Sequence, residues 1–232
     1  TNIYQVNVTY PINEVKSIRA QIGYRTDRGV LRPFNKFNGG PEPAALDLSD
    51  STASTLLGKI EYVHDNTINP AQNIHNGLRY KVYFESTMPM GKTSSIKGRT
   101  TYVFGFDARH YLKIYRNFIW ATRASADFSF GTARMLYYLG GVDGCVNPRF
   151  NDANRPASDA TYAFQTLAVN MRGFNQNIAN GNNAVVINSE LRLPVFTTFF
   201  NRPINNAFLR NFQLVQFFDL GAAWNGAYNG IK

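Results

Sequence analysis

The sequence of 232 residues contains a single cysteine, Cys145, and charged residues make up only 17% of it. One cysteine cannot form a disulfide within the chain, and it excludes a metal site built from several cysteines. No apolar run approaches the roughly 18 residues that a membrane-spanning helix needs. No window keeps a helical hydrophobic period. These absences argue against a disulfide scaffold, a helical membrane protein and a mainly helical fold.

Basic residues exceed acidic ones, with 24 Lys and Arg against 15 Asp and Glu, which gives a net charge of +9. A nucleic-acid-binding surface needs its basic residues clustered in a patch or stripe. Here they are scattered singly, which indicates solvated faces, the walls of a pore or contacts with lipid headgroups. We therefore expect no nucleic-acid partner. Disorder is also excluded, because the chain combines ordinary hydrophobicity with low charge.

Alternation of apolar and polar residues recurs along the chain and predicts an all-β fold. The predicted strands lie at about 3–10, 15–26, 56–65, 77–86, 99–114, 118–136, 183–193 and 212–223. One strand face is rich in Tyr, Phe and Trp, whereas the other carries charges of both signs. This combination is typical of a transmembrane antiparallel β-barrel, apolar towards lipid and polar towards a wet lumen. A soluble β-sandwich is the alternative.

The gaps between the predicted strands alternate in length. They are short or moderate at 11–14, 66–76, 115–117 and 197–210, intermediate at 87–98, and long at 27–55 and 137–182. Outer-membrane barrels have short periplasmic turns and long outer loops, so both chain ends are predicted to lie outside. Because unpaired sheet edges are not tolerated in lipid, we expect residues 1–232 to be one partial domain of a larger barrel.

Three motifs follow one another in the second half of the chain. They are Met171-Arg172-Gly173-Phe174, Glu190-Leu191-Arg192-Leu193-Pro194 and Phe217-Phe218-Asp219-Leu220-Gly221. Their order and spacing resemble the barrel of the BamA, TamA and two-partner-secretion transporter superfamily, the bacterial surface antigen family. Met171 stands where that family has Val, and a weaker likeness is the hairpin around 65–79. The resemblance covers about 56–224 and implies the middle strands of a sixteen-stranded barrel.

The resemblance also implies a function. Such a barrel lies in the bacterial outer membrane and inserts outer-membrane proteins or translocates polypeptides across it. The implied partners are outer-membrane lipid and lipopolysaccharide, client polypeptides, and periplasmic or lipoprotein accessory subunits. No catalytic residue, cofactor or metal is implied, so we expect no enzyme. The loop at about 137–182 is expected to fold back into the lumen.

An arginine inside a barrel must be paired, because an unpaired buried charge is costly. Residue parity places Glu190 and Asp219 on the lumen face of adjacent strands, so Arg172 is predicted to reach both carboxylates as a forked donor. Gly173 would permit a tight turn, and Phe174 would anchor the loop tip against the wall. These five residues form a predicted latch; an ordinary surface turn is the alternative.

Other motifs are weaker. The segment Met90-Gly91-Lys92-Thr93 lacks the first glycine of a phosphate-binding loop, and no Gly-x-Ser-x-Gly elbow is present. No histidine has a partner at metal-ligand spacing. Lumen carboxylates are predicted to be balanced by lumen cations, the two sets being Glu61, Glu85, Asp107 and Asp127 and Arg79, Lys81, Arg109 and Arg123.

Three alternative functions remain open from the sequence. A passive porin would use the loop only to constrict its pore. An outer-membrane enzyme of the phospholipase type would need a Ser/His pair at the outer wall of the barrel. A barrel of the same kind could also anchor a fused enzyme domain.

Overall fold

The computed structural model describes residues 1–29, 51–71, 73–90, 99–142, 146–158 and 161–228. Most of the predicted loop 27–55, the segment Gly91-Lys92-Thr93 and Cys145 lie outside the described residues. These residues include two short helices, α1 (Val195–Phe199) and α2 (Ala207–Asn211). Within the described ranges, no helix is long and apolar enough to cross a membrane.

Eight long strands form one continuous antiparallel sheet, which we call the wall. In wall order they are β1 (Asn2–Asn13), β2 (Lys16–Gly29), β3 (Ser51–Asp65), β5 (Ile74–Met90), β6 (Thr101–Tyr115), β7 (Phe118–Gly131), β11 (Asn183–Pro194) and β12 (Gln213–Trp224). A short strand, β4 (Ile68–Ala71), pairs with β5 and turns back into it. Every predicted strand therefore corresponds to one strand of the wall.

Several strand boundaries differ from the prediction: β3 begins at Ser51 rather than 56, β5 runs on to Met90 rather than 86, and β7 ends early. The predicted strand ran on to 136, but β7 ends at Gly131. Gly131 has a φ of +116°, a conformation that side-chain-bearing residues rarely adopt. A Cβ there would also collide with the backbone carbonyl of Thr100. The chain turns at this glycine, and a separate strand begins at Arg134.

The two faces of the wall differ as predicted. Along β12, the side chain of Asp219 is fully buried, whereas its neighbours Phe218 and Leu220 are 66% and 56% exposed. On β2, Ile22 is likewise exposed, and the polar Gln21 beside it points to the other face. Successive side chains on a strand point to opposite sides. The apolar side is therefore the outer face of the wall, and the polar side is its lumen face.

The lumen-face charges are paired, but only partly as predicted. Asp107 binds Arg109 and Arg123 at 3.3 and 2.7 Å, which matches the prediction.

The cation beside Glu61 and Glu85, however, is Lys59, at 3.2 and 2.9 Å. The predicted cations Arg79 and Lys81 line one cavity with Glu61 and Asp107. Their direct contacts are with other side chains, since Arg79 is 3.4 Å from Asp65 and Lys81 lies over the Tyr83 ring. Asp127 accepts a hydrogen bond from the hydroxyl of Tyr83 rather than from a cation.

The segment between β7 and β11 folds against the lumen face. It forms a three-stranded sheet of β8 (Arg134–Leu139), β9 (Tyr162–Leu167) and β10 (Ala179–Gly181), with β8 in the centre. A small hydrophobic core joins this sheet to β11; its members are Tyr137, Leu139, Ala168, Met171, Ala184 and Val186. Ala184 and Val186 belong to the wall. The long loop is thus a packed insertion, which we call the lumen loop.

The asparagine-rich stretch 175–183 is the limb by which the lumen loop returns to β11 of the wall. Asn177 is only 1% exposed, and its amide donates to the carbonyl of Asn151 at 2.8 Å. Asn182 donates to the carbonyl of Ser129 at 2.8 Å. Buried amides need partners, and these asparagines satisfy backbone groups of the loop and the wall. The stretch therefore joins the lumen loop to β7.

Candidate functional site

The carboxylate of Asp219 lies at the centre of the site, where the lumen loop meets the wall. The backbone nitrogen of Arg172 donates to Oδ2 at 2.8 Å, and Nε of the same arginine donates to Oδ2 at 2.9 Å. Nη2 of Arg172 donates to Oδ1 at 2.7 Å, and Asn188 Nδ2 donates to the same oxygen at 2.8 Å. Arg172 thus binds Asp219 as the forked donor that the sequence predicted.

Glu190 holds the other edge of the same guanidinium. Nη1 of Arg172 donates to Oε1 of Glu190, and Arg192 Nε donates to Oε2 at 2.7 Å. The Arg172 guanidinium carbon also lies 4.2 Å from the centre of the Phe217 ring, within cation–π range. Two arginines and two carboxylates therefore form one neutral cluster, with an aromatic ring beneath one of the arginines.

Strand register brings these carboxylates together. Asn188 on β11 pairs directly with Asp219 on β12, and Glu190 lies two positions further along β11. Positions two apart share a face, and directly opposed positions are close neighbours. The register of the sheet therefore fixes where the acceptor carboxylates of the latch lie.

Gly173 and Phe174 complete the predicted latch. Gly173 has a φ of +85°, and an added Cβ would meet nothing within 4 Å. The backbone dihedral, not crowding, therefore favours glycine here. The carbonyl of Phe174 accepts a hydrogen bond from the nitrogen of Gly141 at 3.1 Å, and its ring is 44% exposed. The hydrogen bond at Phe174 is made by its backbone and not by its ring. That the ring anchors the loop tip against the wall therefore stays a prediction.

Residue reasoning did not identify several contributors to the site. A Cβ at Gly221 would collide with the sulfur of Met171, so this glycine makes room for the buried Met171 side chain. Three lumen-facing positions of β12 thus contact the lumen loop in different ways. Phe217 lies beneath the Arg172 guanidinium, Asp219 binds it, and Gly221 leaves space for the Met171 side chain. Their spacing of two residues was the available signal. Asn188 and Arg192 carried a similar signal on β11.

The electrostatics keep Arg172 charged. Hydrogen bonds to Asp219, and then to Glu190, raise the pKa of its guanidinium above the ordinary value, although partial burial acts in the opposite direction. Arg172 therefore keeps its positive charge in these contacts at physiological pH. The hydrogen bonds of this cluster can hold the lumen loop against the wall and, when they break, release it. Across the part of the chain that the structure describes, no group of three or more His, Cys, Asp or Glu is arranged to hold a metal.

The structure therefore shows an antiparallel β-sheet wall, with a packed loop held against its polar face by the pairing of Arg172 with Asp219 and Glu190. The chain is similar to the solved structure of BamA from Haemophilus ducreyi lacking POTRA domains 1–3. The TM-score is 0.54 with 16% of residues identical, over 95% of this chain and 41% of that one. No family model matches the chain, and neither does any curated protein.

These comparisons confirm the predicted fold class and the likeness to a BamA-type barrel. At this identity the likeness concerns the fold alone. The chain spans less than half the length of the BamA structure, since 41% of that structure is covered. The predicted subfamily, the strand number of the whole barrel and the activity are not tested by this likeness.

Proposed function

We propose that this chain is part of an outer-membrane barrel that inserts outer-membrane proteins or passes polypeptides across the outer membrane. The observation that carries the proposal is the grip of Arg172 on Asp219 and Glu190. Ion pairs hold a packed loop against the lumen face. The BamA-type fold supports the same reading.

The outer face supports a place in the membrane. Near one end of the wall, Tyr102 stacks on Phe84 and Phe130 with ring centres 6.0 and 5.5 Å apart. Trp120 and Leu112, paired across β7 and β6, lie near the other end. Leu112 lies ten positions after Tyr102 along β6. At about 3.4 Å per residue and a tilt of about 40°, they span about 26 Å, close to the height of a barrel's apolar band.

The proposed mechanism is physical. The lumen loop occupies the space beside β11 and β12 while Arg172 is paired, and release of that pairing would free the space for a polypeptide. Outer-membrane lipid and lipopolysaccharide would contact the outer face. Client polypeptides and accessory periplasmic or lipoprotein subunits would be the other partners. No cofactor and no catalytic group enter this mechanism.

The test is Arg172→Ala in the full-length protein in the outer membrane. We expect the barrel to assemble at its normal level, the lumen loop to become protease-sensitive, and client assembly or secretion to fall. Arg155→Ala is the matched control, because Arg155 is an exposed arginine of the same loop. Full activity together with unchanged protease resistance in Arg172→Ala would overturn the proposal.

One observation favours a second candidate, a passive pore. A cavity of about 220 Å³ beside the latch is lined by charged side chains of both signs, Glu190 and the arginines Arg109, Arg123, Arg172 and Arg192. Single-channel conductance in planar bilayers separates the candidates. Asp219→Ala would change the conductance if release of the lumen loop opens the lumen. Conductance that persists unchanged in this variant favours the passive pore.

A further inference from the structure

The tip of the β4–β5 hairpin makes a contact that wall order does not explain. Asn73, at this tip, accepts hydrogen bonds from Arg192 Nη1 at its backbone oxygen (3.1 Å) and at Oδ1 (3.0 Å). Its amide also donates to Oε1 of Gln213 at 3.1 Å. Arg192 is on β11, and Gln213 is the first residue of β12. The hairpin tip therefore reaches two strands with which it does not pair.

Sheet geometry shows how unusual this reach is. In wall order, β5 and β12 are separated by β6, β7 and β11. Four steps of about 4.8 Å would place these strands roughly 19 Å apart in a flat sheet. The hairpin tip therefore folds across the lumen face, at the end of the wall where β5 and β12 begin. We call Asn73, Arg192 and Gln213 the tip contact.

Arg192 joins the tip contact to the latch. Its Nε and Nη2 lie 2.7 and 2.6 Å from Oε2 of Glu190, whereas Arg172 binds the other oxygen of that carboxylate. The side chains of Arg192 and Glu190 are 16% and 17% exposed, so solvent screens their pairing only weakly. An unbroken chain of hydrogen bonds therefore runs from Asn73 through Arg192 and Glu190 to Arg172.

We propose that Arg192 is a positioning residue that couples the β4–β5 hairpin to the lumen loop. Asn73 holds Nη1 of Arg192, so the guanidinium presents its remaining edge to Oε2 of Glu190. That leaves Oε1 to Arg172. If the tip withdraws, Arg192 is free to turn and compete for Oε1, which weakens the hold on Arg172. This proposal rests on the proposed function in one respect: the coupling acts on the lumen loop that Arg172 holds.

The coupling gives the lumen loop a second control point. A segment or partner that binds the hairpin tip removes Asn73 from Arg192, and the lumen loop loosens at a distance. Coupling requires a contact that differs between the two states, and the Asn73–Arg192 hydrogen bonds supply it. Because the hairpin is one of the turns predicted to be periplasmic, the occupant would come from the periplasmic side.

The test uses Asn73→Gly and Arg192→Gln in the full-length protein in native outer membranes. Glycine tolerates the φ of +58° at this position, so the first variant removes the amide without straining the turn. Hydrogen exchange of the amides in β8 and β10 reports release of the lumen loop. We expect each variant to raise exchange roughly threefold to tenfold, the worth of one hydrogen bond. The double variant should exceed neither single one by much.

Controls separate this proposal from the latch itself. Arg116→Gln breaks a 3.1 Å hydrogen bond to the carbonyl of Thr198 in α1 that does not involve Glu190, so it should leave exchange of the lumen loop unchanged. Arg192→Lys keeps the charge but loses the fork, and should fall between wild type and Arg192→Gln. If Arg172→Ala speeds exchange while Asn73→Gly and Arg192→Gln do not, the coupling is wrong and the latch stands. If Arg172→Ala has no effect, both are wrong.

Discussion

Asp219 accepts hydrogen bonds from four nitrogen atoms although its side chain is fully screened from solvent. Removing a carboxylate from water is costly, and only good geometry with a cation compensates for it. The forked arginine, the backbone nitrogen of Arg172 and the amide of Asn188 together supply that geometry. The same contacts make the site specific, because other side chains cannot reproduce two parallel donors at these distances.

The Phe217 ring gives a test at the residue scale. Its face lies 4.2 Å from the guanidinium carbon of Arg172, whereas the neighbouring Phe218 points to the outer face. Phe217→Leu should weaken the hold on the lumen loop by about 0.5–2 kcal/mol, the range of a cation–π contact. Hydrogen exchange of the β8 amides measures this loss. Phe218→Leu is the matched control and should leave that exchange unchanged; equal effects in the two variants would contradict the assignment of faces.

At the scale of secondary-structure elements, the strands of the wall could be predicted because apolar and polar residues alternate in them over long, regular stretches. Parity also placed Glu190 and Asp219 on the lumen face, which is why the pairing of Arg172 could be predicted. β8, β9 and β10 could not, since the longest of them has only six residues. Contacts with the wall hold them in place, such as the 2.7 Å hydrogen bond from the nitrogen of Met135 to Ser129 Oγ.

The tip contact had no sequence signal at all. Asn73 and Arg192 are 119 residues apart, and nothing in a short turn shows that it will fold across the lumen face. The contacts of the asparagine-rich stretch 175–183 had no sequence signal either, because its buried amides donate to distant backbone carbonyls, those of Asn151 and Ser129. Long-range partners therefore decided both cases.

At the scale of secondary-structure elements, one set of side-chain contacts links three neighbouring strands, and we call it the joint. Tyr83, Gly105 and Asp127 lie opposite one another on β5, β6 and β7. The Tyr83 ring lies directly over Gly105, where a Cβ would collide with it, and its hydroxyl donates to Asp127. Lys59 and Lys81 lie 4.8 and 5.1 Å from the centre of the same ring. The missing side chain of Gly105 is thus what allows the tyrosine to reach the third strand.

Gly105→Ala should destabilise the wall by about 1–3 kcal/mol, the usual cost of overpacking, because the ring must leave its position. Chemical unfolding of the full-length protein in lipid vesicles measures the free energy of unfolding. Gly58→Ala on β3 is the control: its Cβ would have only the Ser86 hydroxyl close by, at 3.1 Å. A loss in Gly58→Ala as large as in Gly105→Ala would show that the joint has no special role.

At the scale of the whole molecule, the proposed place in the membrane requires that the apolar face of the wall contacts lipid. Ile22 is 66% exposed at the middle of β2, and Gln21 beside it lines the lumen face with Arg19 and Glu61. Ile22→Arg should cost about 2–4 kcal/mol, the penalty for a cation at the bilayer midplane. Gln21→Arg should be tolerated. The amount of folded protein in the outer-membrane fraction measures both, and a reversed order would mean that the faces are assigned the wrong way round.

The central claim is that the lumen loop is held against the wall by direct pairing of Arg172 with Asp219. A double-mutant cycle with Arg172→Ala, Asp219→Ala and the double variant tests it most directly, with hydrogen exchange of the lumen-loop amides in the assembled full-length protein as the readout. The account predicts non-additivity of about 1–3 kcal/mol, since either single change already removes the pair. Strictly additive effects, or exchange equal to wild type in all three variants, would contradict it.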